Sequence, residues 1–188
     1  MISALRLARI PTRSLNNAAQ QRAFSLASLQ QKSFSALVQE IRANNKNIHH
    51  ISPKDLHAIS STASPQNPRL PPHIIDVREP HEVEATGTIP GAVFLPRGIL
   101  ERDIGKFLKQ NDPRDVVVYC AGGFRSVLAA ESLVRLGYGV VEGEMNDSEG
   151  AKGLNPQESK DKPRVWSLDE GMDGWIKSGF EVEKKAKN

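Results

Sequence analysis

Apolar residues along the chain gather in short runs divided by polar, glycine- and proline-rich stretches. Ile74-Ile75-Asp76-Val77 and Ala92-Val93-Phe94-Leu95 are too short for helices and are predicted strands, the second opened by the turn Pro90-Gly91. Val116-Val117-Val118-Tyr119 is continuous and β-branched, as a strand covered on both faces should be. Gly139-Val140-Val141 is predicted as a further strand. Helical patterns occupy residues 99–110 and 126–136. The second places Leu128, Ala129, Leu133 and Leu136 at helical spacing and stops at Gly137. A helix should begin at Ser52-Pro53, with serine as N-cap and proline at the first position, and carry Leu56 and Ile59 as its apolar edge. A last short helix is predicted over 169–178, with Met172, Trp175 and Ile176 inward. Asn44 to Asn47 reads as a polar linker and residues 60–72 as a loop. Strand and helix alternate, which predicts an α/β fold on a parallel sheet. Residues 142–163 are almost devoid of apolar side chains and are expected to form a flexible surface insertion.

Composition narrows the picture. The chain has 188 residues, 38% hydrophobic and 25% charged, with mean hydropathy −0.43, which suits one domain plus extra sequence. No stretch approaches the roughly 18 apolar residues of a membrane span, so no membrane partner is expected. A net charge of +3 and a pI near 9.1 raise the question of nucleic acid. The charge distribution answers against it: Arg6, Arg9, Arg13, Arg22 and Lys32 precede the first acidic residue, Glu40, and without them acids outnumber bases. Residues 1–38, rich in Arg, Ser, Ala, Leu and Gln, have the composition of a mitochondrial transit peptide, and a matrix destination follows. Arg6, Arg9 and Arg13 share a helical face, and Ala4, Leu7 and Ala8 lie largely opposite. Arg22-Ala23-Phe24-Ser25 and Lys32-Ser33-Phe34-Ser35 resemble processing sites; a disordered basic tail is the other reading. The expected division is a disordered transit segment 1–38, a linker 39–50, a folded domain 51–184 and a tail 185–188.

Candidate chemistry centres on Cys120, the only cysteine, which cannot form an intramolecular disulfide. It ends the predicted strand 116–119 and opens the loop Ala121-Gly122-Gly123-Phe124-Arg125, with a helix starting near Ser126. Ligands of open α/β sheets bind at the carboxyl ends of strands. The two glycines let the backbone turn its N–H groups inward as a nest, the following helix adds its positive end, and Arg125 adds a full charge. Such a cradle favours an anion, either a thiolate or a persulfide, at Cys120. A buried structural cysteine before an ordinary turn is the alternative. Against it, an arginine at a helix N-terminus opposes the dipole and needs another reason to be there. His49, His50 and His57 make a poor metal site, because adjacent histidines point apart and no second cysteine joins them. No metal or cofactor is expected.

Several motifs over residues 51–183 together resemble the rhodanese family, the thiosulfate sulfurtransferases, in single-domain, mitochondrial form. They are Asp76-Val77-Arg78-Glu79, Gly87-Thr88-Ile89-Pro90-Gly91-Ala92, the loop Cys120 to Arg125, and Gly171 with Trp175. Thr88 stands where the family usually has histidine, and Glu170 where it has glycine. The resemblance implies a five-stranded parallel sheet with helices on both faces. It implies that Cys120 carries sulfur and that Ala121, Gly122, Gly123, Phe124, Arg125 and Ser126 form the substrate loop. Arg125 would hold an anionic donor. Arg97 would be a second cation or would pair with an acid, and Asp76 and Arg78 would fix loops by a salt bridge. The implied partners are thiosulfate or a similar small donor, and cyanide or a thiol such as glutathione or thioredoxin as acceptor. Without a second cysteine the acceptor must be external. Two other functions compete: a non-catalytic binding module of rhodanese-like fold, and a phosphatase of the cell-cycle dual-specificity type. The phosphatase loops carry five residues between Cys and Arg, whereas four separate Cys120 from Arg125.

Overall fold

In the computed structural model, which describes residues 32–60, 70–139 and 163–184, the order of elements follows the alternation of the sequence. They are α1 (Phe34–Asn44), β1 (Ile48–Ile51), α2 (Pro53–Ser60), β2 (His73–Asp76), α3 (Pro80–Thr86), β3 (Val93–Phe94), α4 (Leu100–Asp103), β4 (Val116–Tyr119), α5 (Arg125–Arg135), β5 (Val165–Leu168) and α6 (Gly171–Lys177). The strands form one parallel sheet in the order β1-β5-β4-β2-β3. All four residues of β4 are buried, as a continuous apolar run at the sheet centre requires. On one face Ile75, Val116, Val118 and Val165 pack against Val127 and Leu133 of α5 and Val38 of α1. On the other, Ile51, Ile74, Val117 and Leu168 pack against Leu56 of α2 and Met172 and Trp175 of α6. The expected α/β sheet with helices on both faces is present.

Four local expectations need correction. Residues 39–50 are not a linker. They are most of α1 and the first three residues of β1, and residues 34–38 of the expected transit segment also belong to α1. Val38 and Ile41 are buried, so α1 is a packed helix and only the turn around Asn45 is connecting chain. Val165–Leu168, given no strand in the sequence reading, is β5, held between β1 and β4. The helix expected over 99–110 is broken: α4 has one turn and lies between the 3-10 turns Arg97–Ile99 and Ile104–Lys106. Arg102 and Lys106 both pair with Asp103, and Gly105 weakens continuation of the helix. Ile176 points outward at 43% exposure, while Met172 and Trp175 are inside as expected. Of the strand expected at Gly139-Val140-Val141, Gly139 lies in a turn and the other two fall outside the described residues, as do residues 142–162 of the expected insertion and the tail 185–188.

Candidate functional site

Cys120 follows β4 at its carboxyl end, where β5 and β2 flank it, and is 1% exposed. The loop Ala121 to Phe124 leads directly into α5. Outer contacts fix its shape. The N–H groups of Met172 and Asp173, in the first turn of α6, donate to the carbonyls of Cys120 (2.8 Å) and Ala121 (3.0 Å). The Arg42 guanidinium donates to the Gly123 carbonyl (3.1 Å), and the Val127 N–H to that of Phe124 (3.3 Å). Each carbonyl shares a planar trans peptide with the next N–H, which points the opposite way. Drawing the carbonyls of Cys120, Ala121, Gly123 and Phe124 outward therefore turns the N–H groups of Ala121, Gly122, Phe124 and Arg125 to the other side of the loop. Among the described residues no acceptor takes them. Backbone donors arranged in this way can hold an anion.

Two glycines make it possible. Gly123 has φ +81°, and a Cβ there would sit 3.0 Å from the Glu170 nitrogen. Gly171 has φ +54°, and a Cβ there would run into the carbonyl oxygens of Cys120 and Ala121. Glu170, where the family pattern has glycine, adopts φ 57° as a side-chain-bearing residue.

Beneath the loop, the Cys120 Sγ lies 3.8 Å from the Ser126 Oγ, which is 2.9 Å from the Ser167 Oγ of β5; both serines are fully buried. The Cys120 thiol and the Ser167 hydroxyl both donate to the Ser126 oxygen. Arg125 lies within electrostatic reach of Cys120. Its two terminal nitrogens, however, close on the Glu82 carboxylate of α3 at 2.7 and 2.6 Å. The arginine expected to hold an anionic donor is thus paired with an acid. Hydrogen bonds from Arg125 hold the Glu82 carboxyl down at about 2, and Glu82 in return raises Arg125. Arg97 pairs with Glu101 (2.6 Å), the second of the two roles expected of it, and donates to Ser132 (3.0 Å), nearly two turns along α5 from Ser126. Asp76 and Arg78 form a buried ion pair at 2.6 Å. Arg78 also donates to the Gly87 carbonyl, and the Tyr119 hydroxyl donates to Asp76 while accepting the Ile89 N–H. Burial and the Asp76 charge push the Tyr119 phenol up. The network ties the ends of β2 and β4 to the turn at Gly87. Of the three histidines, His49 tilts onto Trp166, His57 stacks on Phe180, and His50 sits 3.3 Å from Asp169.

The sequence reading missed Arg42, Glu82, Ser167 and Asp169. Glu82 had a local signal, standing three residues after Glu79 as in a capping box, and its carboxylate does accept the Glu79 N–H. The other three lie far from the loop in sequence and had none.

The Rhodanese-like domain family matches residues 52–178. The chain belongs to this family. Its rhodanese-like domain is 40% identical over 68 residues to a sulfurtransferase of Allochromatium vinosum, a match covering 36% of this chain and 60% of that protein. The chain therefore spans about 60% of the length of that curated relative. Among solved structures it is similar to a protein of unknown function from Rhodopseudomonas palustris CGA009, described as a possible tyrosine phosphatase. That likeness has 25% identity and TM-score 0.54, over 81% of this chain and 96% of that one. A rhodanese-related protein of Thermoplasma volcanium shares the fold at 23% identity and TM-score 0.50, over 73% and 99% of the two chains. At the level of the family, the match and the sulfurtransferase relative support sulfur transfer.

Proposed function

We propose that the rhodanese-like domain carries sulfane sulfur on Cys120, taking it from thiosulfate or a similar small donor and giving it to cyanide or an external thiol. The observation that supports this most is a buried thiol opening a loop whose carbonyls are held by outside donors and whose N–H groups meet no acceptor among the described residues. In the first step the thiolate attacks the outer sulfur of thiosulfate. A new S–S bond forms, the bond to the sulfonate sulfur breaks, and sulfite leaves with the electron pair. The persulfide anion rests in the donor cradle. In the second step cyanide or a thiolate attacks the outer sulfur, thiocyanate or a new persulfide departs, and the Cys120 thiolate is restored. No external oxidant or reductant enters.

The test is intact mass after thiosulfate treatment and removal of excess donor, beside Cys120→Ser. A gain of one sulfur on the cysteine protein alone, lost on adding cyanide, is expected. A free, folded thiol that gains nothing from thiosulfate, a mercapto acid or a low-molecular persulfide would favour the binding-module reading. The likeness to the possible tyrosine phosphatase supports a second reading, phosphate-ester hydrolysis. Turnover of an aryl phosphate that depends on Cys120, without sulfur loading, would select it.

We also propose that the basic arm before α1 directs the protein to the mitochondrial matrix. Five basic residues and no acid before Glu40 support this, although residues 1–31 lie outside the described residues. Import of the full chain into isolated mitochondria, against a chain lacking residues 1–31, tests it.

A further inference from the structure

Helix α1 and strand β1 precede the residues that match the family, yet α1 reaches the active-site loop. Arg42 donates from Nη2 to the Gly123 carbonyl and from Nη1 to the Asp169 Oδ1, both at 3.1 Å. Asp169 is itself anchored, with its N–H on the Ile51 carbonyl at 2.9 Å. Phe34, at the other end of α1, approaches Phe124 with ring centroids 6.3 Å apart.

The contact falls on a peptide that the backbone around it does not hold. Helix α6 holds the carbonyls of Cys120 and Ala121 with backbone N–H groups, but no described backbone donor reaches the Gly123 carbonyl. Gly123, at φ +81°, has no side chain to restrain its rotation. We propose that Arg42 is a positioning residue. It pins the Gly123–Phe124 peptide with its carbonyl outward, so that the Phe124 N–H joins the cradle that receives the anionic sulfur. Asp169 keeps the guanidinium in register. The inference rests on the reading of Cys120 as sulfur carrier for its chemical consequence, but not for its geometry.

The test uses the full chain, its Arg42→Ala variant, and Asp169→Asn as a milder variant should the first fail to fold. Two quantities are read per titratable Cys120 thiol: the rate of loading from thiosulfate, and the ratio of alkylation rates by iodoacetate and iodoacetamide. The ratio reports preference for an anion without requiring sulfur transfer. In Arg42→Ala both should fall about ten-fold, the scale of one charge-assisted hydrogen bond, and in Asp169→Asn both should fall less. A purely structural role would lower the number of competent thiols and leave the per-thiol values unchanged. A long-range charge effect would disappear at about 0.5 M KCl, where screening acts within a few ångströms. Either result would overturn the inference; a loss that persists in salt supports it. If the wild type loads no sulfur while the alkylation ratio still falls in Arg42→Ala, the sulfur-carrier reading fails and the pin stands.

Discussion

Arg125 opens α5, where a positive charge opposes the helix dipole, and Glu82 compensates with two short hydrogen bonds. The pair ties the end of the Cys120 loop to α3. Its pH behaviour follows from Glu82, whose carboxyl is held at about 2 in the folded protein against 4.5 ordinarily. A depressed acid adds stability above its unfolded value and loses it as the pH falls through the folded one. Glu82→Gln is therefore expected to cost about 1–2 kcal/mol at pH 7, and the gap to the wild type should close as pH falls from about 4.5 toward 2. Urea titrations of both proteins across that range check it. A gap independent of pH would mean that shape, not charge, holds the contact.

Helices α1 and α6 act on the loop from outside it. α6 does so through its first turn, whose N–H groups hold the carbonyls of Cys120 and Ala121. That close approach is possible only because residue 171 lacks a side chain and takes φ +54°. Gly171→Ala should push the loop off the helix, lower stability by about 2–4 kcal/mol, and reduce sulfur loading per folded molecule at least ten-fold. Loading measured by intact mass, alongside thermal unfolding, separates the two effects; normal loading in a destabilised variant would remove α6 from the shaping of the site. The glycine had a visible pattern, since Gly171 and Trp175 resemble a family motif. The reason for it was not visible, because it lies in carbonyls about fifty residues earlier. α1 and β1 were harder to read. Ile48-His49-His50-Ile51 has apolar residues only at its ends, and it becomes a strand because β5 offers four partners in register. A four-residue segment with histidines at its centre carries too little periodicity to be read alone.

For the whole molecule, the sheet makes the segment before residue 52 part of the domain. A chain beginning at residue 52 would lose β1 and α1, expose the edge of β5, and uncover the face of α5 that packs with Val38 and Ile41. One beginning at residue 32 should unfold cooperatively within a few degrees of the full chain, and the shorter one about 10 °C or more lower, or aggregate. Circular dichroism melts of the three chains decide between this and a domain that starts at residue 52. The sequence by itself determined the alternating α/β pattern, the central β4, and the placing of a lone cysteine at a strand end before a glycine turn. These are local matters of periodicity and turn chemistry, carried by neighbouring residues. Tertiary structure alone decided which charges remain available at the loop, because an arginine's role depends on the acid it meets. Arg125 meets Glu82, Arg97 meets Glu101, and Arg42 meets Asp169 and the Gly123 carbonyl. Except for Arg97 and Glu101, one turn apart, these partners are brought together by the fold across tens of residues, a distance over which no sequence spacing carries information.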